Sequence, residues 1–114
     1  MTKNLLAIIG GSGLYEIEEL SDVKYLNIET PWGSPSDKII KAKYKTKDVI
    51  FLPRHGKGHF ISPTNINYRA NIDALKQLGV TDIVSISAVG SLKEELHPGL
   101  FVIVDQFIDR TFAR

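Results

Sequence analysis

The sequence predicts an α/β fold with a twisted, at least partly parallel sheet, and three observations carry that prediction. Two short apolar runs, Leu5 to Ile9 and Thr81 to Ser87, each end in small residues, Gly10-Gly11-Ser12-Gly13 and Ala88-Val89-Gly90-Ser91. Runs this short, closed by glycine, read as buried strands entering tight turns. Between them lies one helical pattern, with apolar residues at Tyr68, Ile72, Leu75 and Leu78 and a stop at Gly79. Strands joined by a helical crossover point to parallel pairing.

The remaining elements follow in chain order. Leu14 to Leu20 reads as a short helix or a turn, and Val23 to Thr30 runs on to the breaker Pro31-Trp32-Gly33-Ser34-Pro35. Lys38 to Tyr44 and Asp48 to Leu52 read as two strands joined through the polar Lys45-Thr46-Lys47-Asp48, which predicts a hairpin. Pro53 to His59 is a loop, and the helix starts at Asn65 or Asn67. After the turn at Pro98-Gly99, Leu100 to Val104 reads as another apolar strand. Little sequence follows to cover it, so the sheet is expected to be incomplete within the chain.

Composition narrows the function. The chain has 114 residues, 43% of them hydrophobic and 24% charged, as expected for one compact domain with a core. Fourteen basic side chains against thirteen acidic ones give a net charge of +1, so there is no footprint for nucleic acid or an anionic membrane. An anion would have to be caught locally. With no cysteine, disulfides and thiolate metal sites are excluded, and a reducing compartment, the cytoplasm, is expected. The apolar run at the start is too short for a signal peptide or a membrane span.

Three loops have the chemistry to hold a small anion. Gly10 to Gly13 frees backbone N–H groups to turn toward a ligand, and Ser12 adds a hydroxyl. It is neither a Walker A loop nor a good dinucleotide fingerprint, and taken alone it reads equally well as a plain tight turn. Arg54 offers a bidentate donor for phosphate, and His55 can donate a second hydrogen bond beside it. Lys57 and His59 read as solvated loop residues. The two histidines lack a neighbouring carboxylate or cysteine to complete a metal site. Ser87 and Ala88 close the later strand, where small residues let a ligand approach the backbone, while Ser91 with Glu94 reads as a capping box. All three loops follow predicted strands, so all three are expected at one edge of the sheet.

Set in order, these segments resemble the methylthioadenosine phosphorylases, a group within the trimeric purine nucleoside phosphorylases. Ile8 to Leu14 is similar to the family's opening strand and phosphate loop, and Thr30-Pro31-Trp32-Gly33-Ser34-Pro35-Ser36-Asp37 to its Thr-Pro-aromatic-Gly segment. Arg54-His55-Gly56, His59, Pro63 and Asn67 to Asn71 follow in the family's order and spacing. So do Ser87 to Glu95, Pro98-Gly99 and Asp105 to Thr111. The resemblance spans essentially the whole chain.

It implies a phosphorylase/hydrolase-like α/β fold around a mixed, twisted sheet. It also implies an enzyme that splits methylthioadenosine with inorganic phosphate and needs no cofactor or metal. The phosphate contacts it implies are Ser12, Arg54, His55, Ser87 and Ala88, and the implied assembly is a homotrimer. Residues 1–114 would be the N-terminal part of a single phosphorylase domain. The purine and ribose contacts, with the catalytic residues that help the base leave, are expected beyond Arg114, so the chain alone is expected to have low or no activity. Three rivals remain open: phosphorolysis of another purine nucleoside or of methylthioinosine, a nucleotide-binding module of Rossmann type, and a non-catalytic α/β remnant.

Overall fold

The computed structural model describes residues 3–11 and 17–112. Ser12 lies outside the described residues, as does the start of the helix or turn expected from Leu14. Strand β1 (Leu6–Gly10) sits between β4 (Lys47–Pro53) and β5 (Asp82–Ser85) and is parallel to both. Two further strands, β2 (Leu20–Leu26) and β3 (Ile39–Tyr44), extend the sheet beyond β4 by antiparallel pairing. The order is β2-β3-β4-β1-β5, so the sheet is mixed, as expected.

The β3–β4 hairpin closes over two residues, Lys45 and Thr46, with Lys45 at φ +55°. A primed turn of this kind needs such a left-handed residue to match the strand twist. At the outer edge, β2 carries a register shift between Ser21 and Lys24. An irregular, charged edge discourages pairing with other chains.

Helix α1 (Tyr68–Gln77) crosses from β4 to β5. Asn67 caps it, its side-chain oxygen accepting from Ala70 N–H at 3.1 Å, and Gly79 ends it at φ +82°. Its inner face differs from the predicted stripe. Ala70, Asn71, Ala74 and Leu75 are buried, whereas Ile72 is half exposed. Two alanines let the helix approach the sheet closely, and Asn71 serves a polar contact there. Its amide oxygen accepts from Ser36 N–H at 2.8 Å, and its amide donates to Ser36 Oγ at 3.0 Å. That buried pair pins the segment before β3 to the helix.

Period-two alternation divides the core between the two sheet faces. Ala7, Ile9, Ile39, Ile50 and Leu52 pack against Ala74 and Leu75 of α1. Ile40, Ala42, Val49 and Phe51 form the opposite cluster with Ile8, Ile17 and Leu20 against it. Full burial of a Leu75 or Ile50 side chain is worth about 1.5–3 kcal/mol.

Two expectations change at the C-terminal side. The segment read as a buried strand from Thr81 does form β5, but as an edge strand whose four residues are all exposed. Leu100 to Val104 is not a strand, and Phe101 and Ile103 are almost fully exposed. Apolar β-branched composition favours a strand only where a neighbour supplies backbone partners, and this segment joins no ladder among the described residues. No described helix is long and apolar enough to cross a membrane.

Candidate functional site

Parallel pairing sets the C-terminal ends of β4, β1 and β5 side by side. Ligands of open α/β sheets collect at such an edge. The ladder continues past the strands: Arg54 N–H donates to the Gly10 carbonyl at 3.0 Å, and Ile86 N–H to the Ile9 carbonyl at 2.8 Å. The three loops therefore leave from one place.

Arg54 then bridges from β4 across β1 to β5. Its Nη1 donates to Ser85 Oγ at 3.2 Å and its Nη2 to the Ile86 carbonyl at 2.7 Å. A guanidinium has five N–H donors, so three remain for a ligand. The two bonds hold the fork in place before any ligand arrives.

The loop after Arg54 folds back on itself. Gly56 N–H donates to Pro53, His59 N–H to Gly56 and Ile61 N–H to His55, all at 3.0–3.1 Å. Gly56 sits at φ +74°, and a Cβ there would run into the Phe60 ring. Glycine meets both demands. The fold brings the His59 ring onto His55, with centroids 4.1 Å apart and planes 24° from parallel. His55 Nδ1 lies 2.7 Å from the Ile61 carbonyl. A carbonyl only accepts, so Nδ1 carries a proton and Nε2 is the nitrogen left for other partners.

A pocket of about 720 Å³ opens over this edge. Gly11, Arg54, His55, Ser87 and Ala88 all line it. Four of the five expected contact residues, with Gly11 of the glycine loop, therefore share one pocket; Ser12, the fifth, lies outside the described residues. Pro63, Ile66 and Ile86 add apolar wall. The described lining holds no carboxylate, so its ionisable groups are Arg54, the two imidazoles and the Tyr68 phenol. That balance suits an anion. The volume far exceeds a tetrahedral oxyanion and lies within the range of pockets for small organic ligands.

Four residues were missed or misread in the sequence. His59 is exposed, as read, but it also lines the pocket and stacks on His55. Tyr68, read only as a core residue, also lines the pocket, its hydroxyl donating to the Pro63 carbonyl at 3.1 Å. Ser85 was not singled out, because an isolated serine in a strand carries no signal until pairing puts it within reach of Arg54. Ser91 is corrected too: its hydroxyl accepts from Lys93 N–H at 3.1 Å and donates to the Lys93 carbonyl at 2.7 Å, but in a turn with no helix behind it.

The sequence profile described as the phosphorylase superfamily matches residues 5–114. An S-methyl-5'-thioadenosine phosphorylase of Cereibacter sphaeroides is 61% identical over 112 residues, which are 98% of this chain and 39% of that protein. One from Hyperthermus butylicus is 57% identical over 109 residues, 96% of this chain and 40% of that protein. Among solved structures, the methylthioadenosine phosphorylase of Schistosoma mansoni in complex with adenine superposes with a TM-score of 0.88 at 46% identity, covering 98% of this chain and 40% of that one. A methylthioadenosine phosphorylase from an antarctic soil metagenomic library gives a TM-score of 0.79 at 52% identity, covering 86% of this chain and 34% of that one. The chain thus spans about two-fifths of the length of the relatives it matches.

Proposed function

This chain belongs to the phosphorylase superfamily, and from that premise we propose that it carries the phosphate-binding part of an S-methyl-5'-thioadenosine phosphorylase. One observation supports the reading most. Gly11, Arg54, His55, Ser87 and Ala88, from three separate loops, line a single pocket free of described carboxylates.

In this reading Arg54 holds inorganic phosphate and offsets its charge. His55 makes a directional hydrogen bond through Nε2. The hydroxyls of Ser12 and Ser87 and the N–H of Ala88 fix further oxygens. A phosphate oxygen attacks the anomeric carbon of methylthioadenosine as the bond to the purine nitrogen breaks. The electron pair leaves with the base, which takes up a proton, giving adenine and 5-methylthioribose 1-phosphate. No cofactor takes part. The sugar becomes cationic as it approaches a fixed anion, so positioning and electrostatics do most of the work. The contacts to purine and ribose belong to the part of the relatives that this chain does not span. The assembled enzyme is a cytoplasmic homotrimer serving purine and methionine salvage.

The test joins residues 1–114 to the remaining C-terminal portion of the Cereibacter sphaeroides relative and follows adenine release from methylthioadenosine. Release that depends on phosphate and yields the sugar phosphate is expected. Release independent of phosphate, or from inosine in preference to methylthioadenosine, would overturn the reading.

A further inference from the structure

We propose that His55 makes the pocket selective for an oxyanion that carries a proton over one that carries none, so that hydrogen phosphate is bound in preference to sulfate. This rests on the reading of the pocket as a phosphate site and adds the atom that recognises the ligand's protonation state. The Ile61 carbonyl, 2.7 Å from Nδ1, fixes the proton on that nitrogen. The reverse bond, Ile61 N–H to the His55 carbonyl at 3.0 Å, holds the two residues in register. His59 covers one face of the ring and restrains its plane. Turning the ring over would give up the Nδ1 bond. A neutral His55 therefore presents a lone pair at Nε2, and Nε2 is the polar atom it has left for the pocket it lines.

Hydrogen phosphate and sulfate are dianions of the same tetrahedral shape. They differ in one O–H. The donors around the site, the Arg54 guanidinium and the loop N–H groups, serve bare oxygens on either anion and cannot tell them apart. An acceptor can. It takes the O–H of hydrogen phosphate, whereas in sulfate it meets a bare oxygen, and two lone pairs face each other without a proton between them. Arg54 only donates and cannot take that proton, whereas His55, with its Nδ1 proton already given to the Ile61 carbonyl, can take it at Nε2.

The test is calorimetric titration of the 114-residue chain with inorganic phosphate and with sulfate at matched ionic strength and pH 8. The expected result is phosphate binding roughly tenfold or more tightly than sulfate, the usual size of one unmatched polar contact. In His55→Gln the amide turns either its donor or its acceptor to the ligand, and the preference should fall to about twofold. Equal binding of the two anions by the unaltered chain overturns the selectivity and leaves the phosphate site standing. Failure of both to bind overturns the phosphate site itself. Should His55→Gln not fold, nitrogen NMR of the imidazole decides on the unaltered chain. A neutral tautomer protonated at Nδ1 is expected, and one protonated at Nε2 would refute the proposal.

Discussion

Replacing Arg54 by alanine separates a bound oxyanion from a merely basic loop. The substitution removes a side chain that makes two bonds to the end of β5, to Ser85 Oγ and the Ile86 carbonyl, and keeps three donors for a ligand. A hydrogen bond to a charged partner is worth about 1.5–3 kcal/mol, so losing even one ligand contact weakens phosphate binding roughly 10- to 150-fold. The two bonds to β5 add a stability cost of about 1 kcal/mol at this half-exposed position. Arg54→Lys divides the two effects: it keeps the charge but loses the planar fork, so binding should fall by less than in Arg54→Ala. Calorimetry with inorganic phosphate reads the affinity, and thermal unfolding of the same samples reads the fold. Phosphate affinity within about twofold of the unaltered chain, with the fold intact, would refute the role of Arg54.

Other perturbations follow from the same contacts. Ser85→Ala removes one of the two anchors of Arg54 while Ile86 keeps the other; phosphate affinity should fall about three- to tenfold as the guanidinium loses part of its fixed position, with unfolding nearly unchanged. Asn71→Ala strips the buried Ser36 N–H and Oγ of their partner, so stability to urea should drop by about 1–3 kcal/mol with no loss of phosphate affinity beyond that due to unfolding. Gly56→Ala forces a Cβ into a residue at φ +74° facing Phe60; a cost of about 1–2 kcal/mol in chemical denaturation is expected, with weaker phosphate binding as the His55 loop shifts.

Much of this site was legible because its residue types announce their chemistry. Arginine beside histidine after a strand, and small residues after two others, suffice to suggest an anion at a sheet edge. Which side chains meet there depends on pairing. Ser85 reaches Arg54 only because β5 lies on the far side of β1, which no local pattern reveals. His59 is exposed as read, but its return to His55 was not legible, because it requires left-handed backbone at Gly56, Gly58 and His59 in close succession. Along α1 the periodicity found the helix but misjudged its face: apolar character favours Ile72, whereas close approach to the sheet and the Ser36 contact favour Ala70, Ala74 and Asn71. Leu100 to Val104 shows the limit of composition, since strand-forming residues make a strand only beside another.

The central claim, that three loop ends form one oxyanion site, is tested most directly by titrating the isotope-labelled chain with inorganic phosphate and following backbone amide resonances. The account predicts that Gly11, Arg54, His55, Ser87 and Ala88 move together along one saturable curve. Movement confined to the lysines of β2 and β3, Lys24, Lys41 and Lys43, would show only loose attraction to a basic surface and would contradict it.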